Sequence, residues 1–216
     1  NFLQQFFNGV FMKYFSIALF CLLLVLSCSD NNTDSNDSKK EIWPLAVGNK
    51  WTYTSFSYYN SNTDSIRYND TIVFCVSSSR IIDGVEWFSF GILGETPNTY
   101  MTNKSDGVWD CDRLEDTLDF NPQNTSLHFK YPTVVGEYNP KDSSRYKTIS
   151  INDLIKTPAG SFNCVRYIRT TNVSNSIFLS PNIGLVKSER ITNIDPNTND
   201  TTWAGQVLIS YELKKK

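Results

Sequence analysis

The chain has 216 residues, of which 40% are hydrophobic and 14% aromatic, with a formal net charge of −2 and a single histidine. That apolar content excludes a disordered or collagen-like chain. The near-neutral balance, with no basic block outside Lys214-Lys215-Lys216, excludes nucleic acid as a partner.

Residues 1–11 precede the first methionine, Met12, and are expected to be an over-read upstream of the gene's start. Lys13 then introduces an apolar run from Phe15 to Leu26, closed by the small residues Ser27 and Cys28. The run is shorter than the roughly 20 residues that span a bilayer, and a polar stretch follows at once, so residues 12–27 read as a helical signal peptide. Val25-Leu26-Ser27-Cys28 resembles the lipobox of bacterial lipoproteins. The resemblance implies acylation of the Cys28 thiol, cleavage before it and a membrane anchor; each buried methylene contributes about 0.8 kcal/mol. Ser29, standing where an aspartate would not favour export, resembles an outer-membrane address in Gram-negative lipoproteins. Residues 28–40, rich in Ser, Asn and Asp, read as the lipidated cysteine and a flexible tether.

Residues 41–216 fit one domain of roughly 175 residues. Cys75, Cys111 and Cys164 are the cysteines left there, an odd number with no CxxC and no zinc spacing. One disulfide among them is an open alternative to three buried thiols.

Alternating runs bounded by Asn, Asp, Gly, Ser and Pro recur every ten to fifteen residues or so, and long helical periodicity is absent. The expected fold is all-β: an antiparallel meander of roughly nine to eleven strands forming a curved sheet, open barrel or sandwich. The opening strand runs from Trp51 to Tyr58, with Trp51 and Tyr53 on one face and Phe56 and Tyr58 on the other; a bulge near Ser55 would reconcile them. Ile72, Phe74 and Val76 alternate with Val73 and Cys75. Asp83-Gly84 is a favoured two-residue hairpin turn between Ile81-Ile82 and Val85-Glu86-Trp87. The return strand has Trp87 on one face and Phe88 and Phe90 on the other, as in a central strand covered twice. Lys104-Ser105-Asp106-Gly107 separates Tyr100-Met101-Thr102 from Val108-Trp109-Asp110-Cys111. Leu127, Phe129 and Tyr131 alternate with His128 and Lys130, which points His128 away from the core. Trp203, Gly205, Val207, Ile209, Tyr211 and Leu213 form one face of a last strand.

Three segments, Trp43-Pro44-Leu45-Ala46-Val47-Gly48-Asn49-Lys50-Trp51-Thr52-Tyr53, Thr157-Pro158-Ala159-Gly160-Ser161-Phe162-Asn163-Cys164 and Leu179-Ser180-Pro181-Asn182-Ile183-Gly184-Leu185-Val186-Lys187, resemble in this order a group of uncharacterised β-rich lipoproteins of Gram-negative bacteria. The resemblance spans nearly all of the mature chain and implies no catalytic residue; physically the three segments read as turns and strand entries. In overall pattern the chain is also similar to the half-barrel carriers of lipids and lipoproteins, whose concave apolar face holds an acyl chain.

Chemistry is sparse. There is no GxSxG, no HExxH and no phosphate-cradling glycine loop. Glu86, Glu95, Asp110, Asp112, Glu115 and Asp116 are carboxylates of the type a glycosidase pair needs, with nothing to single out two. Asp195, Asn197, Asn199 and Asp200 have the spacing that opens a calcium loop, but Asp200 replaces the glycine and Gln206 the closing glutamate, so a plain turn is expected. Asp64-Ser65, Asp70-Thr71, Asp116-Thr117 and Asp200-Thr201 resemble a short O-glycosylation motif of exported proteins. Trp87, Trp109 and Trp203 would mark a carbohydrate or lipid site if they shared a concave face. The expectation is therefore a lipoprotein anchored by Cys28 to the cell envelope, at the outer membrane, with a non-enzymatic binding or scaffolding domain, no cofactor and no metal. Its partner would be a lipid, carbohydrate or protein. A half-barrel lipid carrier and an envelope hydrolase are the alternatives.

Overall fold

The computed structural model describes residues 41–60, 62–97, 99–112, 124–138, 146–169 and 172–214; the expected signal helix, Cys28 and the tether lie outside them. The elements are β1 (Lys50–Tyr59), β2 (Asn62–Ile82), β3 (Val85–Ile92), β4 (Thr99–Lys104), β5 (Gly107–Asp112), β6 (Thr125–Lys130), β7 (Tyr146–Thr157), β8 (Gly160–Arg169), β9 (Asn172–Ser180), β10 (Gly184–Ile194) and β11 (Thr201–Glu212). All are antiparallel in one sheet, ordered β6-β5-β4-β3-β2-β1-β11-β10-β9-β8-β7. The first and last strands therefore pair in the middle, and β6 and β7, consecutive in the chain, become the two edges.

An open edge exposes unpaired backbone groups, and here the sheet curls until its edges meet. The Phe129 ring of β6 lies 4.9 Å from Tyr146 of β7 and 5.1 Å from Tyr167 of β8. The Tyr167 hydroxyl donates to the Lys130 carbonyl at 2.8 Å. Residues 131–138 finish the seam: the Gly136 N–H donates to the Thr148 carbonyl at 2.8 Å, and the Thr148 N–H donates to Glu137 at 3.0 Å. The result is a nearly closed barrel, the barrel member of the expected set.

The hairpins follow the turn chemistry. Asp83 and Gly84 both have positive φ, 50° and 76°, as the tight turn joining Ile82 to its partner Val85 requires. Lys104 likewise pairs with Gly107, and Thr157 with Gly160. Strand β3 is covered on both sides, with Trp87 buried on one face and Phe88 and Phe90 packed on the core on the other.

Bulges correct three expectations. Pairing between β1 and β11 runs without a break from Thr54 to Tyr59, so no bulge in β1 brings Phe56 and Tyr58 round to the face of Trp51 and Tyr53. The extra residue opposite Ser55 is in β2, where Thr54 pairs with Thr71 and Phe56 with Tyr68. In β11 the register skips Ile209, so Val207 and Leu208 are both buried, on opposite faces, and the strand has no single apolar stripe. In β6 the skipped residue is His128: Phe129 pairs with Val108 and Leu127 with Trp109. Leu127 and Phe129 thus lie on opposite faces, and both are buried.

The concave face is filled by the chain that precedes β1. Ile42, Trp43 and Leu45 are buried within the barrel. The Trp43 indole meets Trp51 of β1 at 6.2 Å, Phe90 of β3 at 5.2 Å and Phe129 of β6 at 6.4 Å. It rests on Gly184 of β10, where an added Cβ would lie 2.9 Å from its ring. The Trp51 indole N–H donates to the Ile183 carbonyl at 2.6 Å, the Asn182 N–H to the Glu41 carbonyl at 2.7 Å, and the Asn103 amide to the Trp43 carbonyl at 2.9 Å. Two of the three familiar sequence segments thus form one joint, and the third supplies Phe162 and Cys164 to the same core. Replacing Trp43 with Ala should cost about 3–5 kcal/mol, through lost burial and the cavity left behind; urea unfolding would show the loss, with Trp43→Phe losing distinctly less.

Candidate functional site

Residues paired directly across antiparallel strands share a face. From Trp51 and Tyr53, which line the packed interior, the same face of β1 continues through Ser55, Ser57 and Tyr59. Their partners on β11 are Gln206, Ala204 and Thr202. On β10 these face Ser188 and Arg190, and Ser188 in turn faces Ile177 of β9. On β2, Ser57 faces Arg67. The concave surface therefore changes character along the strands. Near the β9–β10 turn it is aromatic and filled; towards the opposite strand ends it is open, with polar and apolar side chains mixed.

Two adjoining hollows sharing Ser57 make up this open end. One, of about 450 Å³, is lined by residues that include Ser55, Asn175, Ile177, Ser188, Arg190 and Gln206. The other, of about 490 Å³, is lined by Ser57, Tyr58, Tyr59, Arg67 and Thr202. On the reverse face Phe56, Tyr58 and Trp203 lie nearly parallel, each ring 6.0 Å from the next. There Glu189 is held by Lys187 at 2.6 Å and accepts from the Tyr58 hydroxyl at 3.3 Å. Burial, reinforced by the Glu189 charge and that hydrogen bond, pushes the Tyr58 phenol up to about 12.

The structure also places the residues singled out by sequence. His128 is half-buried at the β6 bulge rather than directed into solvent, and its Nδ1 lies 2.6 Å from Asp110 Oδ2. The Ser126 hydroxyl donates to the other Asp110 oxygen at 2.7 Å. Although Ser, His and Asp meet, the carboxylate stands between the other two, so the hydroxyl is not bonded to the imidazole that would take its proton. The cluster ties β5 to β6. Of the other carboxylates, Glu86 and Glu95 are exposed, and the side chains of Asp112, Glu115 and Asp116 lie outside the described residues. Trp87, Trp109 and Trp203 share no concave site: Trp203 lies on the reverse face with Tyr58, and Trp87 and Trp109 are far from it along the sheet. Trp87 and Trp109 lie on the convex face and flank Lys104, whose ammonium is 3.9 Å from the Trp109 ring and 5.6 Å from Trp87.

In the loop between β10 and β11, Asp195 accepts from the Asn197 and Thr198 N–H groups, and Asp200 accepts from the Tyr59 hydroxyl. Its carboxylates thus brace a turn, as expected. Among the described residues no group of three or more His, Cys, Asp or Glu side chains could hold a metal. No disulfide joins Cys75, Cys111 and Cys164, which are all buried; burial first, and Asp153 second, push the Cys164 thiol up to about 12. Of the glycosylation-like pairs, Thr71 is exposed on β2 and Thr201 accepts from the Trp203 indole N–H; Ser65 and Thr117 lie outside the described side chains. Arg67 and Arg190 carried no local signal, because only the pairing register brings them to one face.

No protein-family model matches the chain and no curated protein does. Among solved structures the chain is similar to a candidate exported protein with a YmcC-like fold from Bacteroides fragilis, at 13% identity and a TM-score of 0.41 over 81% of this chain and 100% of that one. It is also similar to a candidate lipoprotein from Parabacteroides distasonis, at 12% identity and a TM-score of 0.39 over 80% of this chain and 99% of that one. A LolA superfamily protein from Nitrosomonas europaea aligns at 7% identity and a TM-score of 0.21, over 81% and 90% of the two chains. At these scores the alignments assign neither activity nor ligand to this chain.

Burial alone would raise the Asp110 carboxyl, but the hydrogen bond and charge of His128, together with the Ser126 hydroxyl and the residue's own N–H, hold it below the ordinary value of 3.8. A carboxyl lower in the folded than in the unfolded state stabilises fully above its unfolded value, and the gain disappears as pH falls through the folded value. Asp110→Asn should therefore cost about 1–3 kcal/mol at neutral pH. In urea titrations the gap from the native chain should close in acid below the ordinary aspartate value.

Proposed function

We propose that the chain is a lipoprotein of the cell envelope, held at the outer membrane through a lipid on Cys28, whose β domain is a non-enzymatic binding or scaffolding module. One observation carries this reading: the aromatic half of the concave face is occupied by Ile42, Trp43 and Leu45, while the other half, of mixed lining, is open. A carrier of acyl chains needs the aromatic half empty. Here that volume holds the chain's own side chains, and an acyl chain would enter only if the segment withdrew. A hydrolase needs an activated nucleophile or a pair of acting carboxylates, and Asp110, between Ser126 and His128, provides neither.

The position of the entry supports the same reading. Glu41, where the described chain begins, is bonded to Asn182 at the β9–β10 turn. Strand β10 runs from there towards Arg190 and Ile194. Glu41 therefore lies at the filled end, and the hollows lie at the opposite strand ends.

Native mass spectrometry with lipid extraction, on residues 39–216 expressed in a periplasm without the anchor, tests the reading. The expected result is a clean apo mass and no lipid in the extract. A stoichiometric lipid adduct would contradict it and support the carrier.

A further inference from the structure

Along the open end, four residues form a row on the concave face, one per strand: Arg67 on β2, Ser57 on β1, Ala204 on β11 and Arg190 on β10. Each is the direct partner of the next, so the two arginines rise from either side of a floor of small side chains. Three strand spacings of about 4.8 Å separate their backbones by roughly 14 Å. That gap is one which two guanidinium side chains reach into from both sides. Neither arginine has an ion pair or side-chain hydrogen bond among the described residues, while Lys50, Lys130 and Lys187 each have a carboxylate partner. On β8, Arg169 shares the inward face of its partner Tyr146, and its Nε is buried with no hydrogen-bond partner. The carboxylates of the neighbouring turn are already engaged: Asp195 by backbone N–H groups and Asp200 by Tyr59.

We infer that this row is the anion-binding part of a ligand site for an acidic saccharide, one bearing carboxylate or phosphate groups. The inference rests on the reading of the open end as a binding site. Guanidinium groups bind carboxylate and phosphate oxygens through paired, charge-assisted hydrogen bonds. Beside the apolar Phe56 and Ile177, the lining includes Ser57, Ser188, Asn175 and Gln206, whose hydroxyl and amide groups suit the hydroxyls of a sugar; Glu189, which also borders the hollow, is paired with Lys187. Tyr59, half-exposed in the same hollow as Arg67, is fixed by its bond to Asp200 and offers a ring face to the C–H side of a sugar. An anionic lipid would satisfy the arginines but needs room for its chains. The aromatic part of the concave face is already filled by Ile42, Trp43 and Leu45.

The test uses the lipid-anchored chain dispersed in a non-ionic detergent, applied to an array of uronate-bearing, phosphate-bearing and neutral oligosaccharides at low and high ionic strength. Dihexanoylphosphatidylglycerol, an anionic lipid short enough to stay dissolved, serves as competitor. Acidic members should be retained and neutral ones not, with retention falling as salt rises. Arg67→Gln with Arg190→Gln should weaken binding at least about tenfold, or about 1.4 kcal/mol, with the unfolding midpoint unchanged because both side chains are exposed. Lysine at both positions should recover part of the loss. Equal retention of neutral sugars, or retention that survives the double substitution, would overturn the assignment while leaving the open end a binding site. Displacement by the short lipid would reassign the arginines to a headgroup. No retention of any sugar would overturn the saccharide and direct the search to protein partners.

Discussion

The Trp43 indole lying on Gly184 is the contact on which the rest of the barrel depends. A sheet whose edges are β6 and β7 needs something inside to curl around, since meander hairpins alone fix only neighbouring strands. Trp43 touches residues of β1, β3, β6 and β10 at once, and so joins strands far apart along the sheet. Glycine is required at 184 for two reasons. Its φ of +95° disfavours any side chain, and a Cβ would stand where the indole lies. Around that contact the same two segments supply hydrogen-bond acceptors, the Ile183 carbonyl for the Trp51 indole, that of Leu185 for the Tyr53 hydroxyl and that of Pro44 for the Asn49 amide, while the buried Trp43 indole N–H has no partner among the described residues.

This interior packing decides what the concave surface is able to do. An open apolar concavity of this size could hold an acyl chain. In this chain the segment between the expected tether and the first strand takes that place. What remains open is lined by serine, asparagine, glutamine and arginine together with Ile177 and the rings of Phe56, Tyr58 and Tyr59. At the seam Gly136 and Glu137 pair with Thr148 and cover that part of the β7 edge.

Much of the fold was legible in the sequence because turn chemistry is local. Asp83-Gly84, Pro158-Ala159-Gly160 and Pro181 to Gly184 each announce a reversal that the backbone makes. What misled was strict alternation across bulges. A single skipped residue inverts every later side chain, and the skipped residues, His128 and Ile209, look like ordinary members of an alternating run. Leu127 and Phe129 therefore read as neighbours on one face although they lie on opposite ones. The candidate site was not legible, for a related reason. Arg67, Ser57, Ala204 and Arg190 are scattered over more than half of the chain and acquire a common face only through three pairing registers. Trp87 and Trp109 drew attention as large rings, yet they are used with Lys104 on the convex surface.

Exchange of the Trp51 indole proton with solvent deuterium, followed by NMR, tests the central claim most directly. If the segment from Glu41 to Leu45 is a permanent part of the interior, that proton, donated to the Ile183 carbonyl, exchanges only through global unfolding. Its protection should then match that of the slowest backbone amides of β1 and β11. Exchange much faster than those amides would mean that the segment leaves the barrel while the sheet stays folded, and would contradict the account.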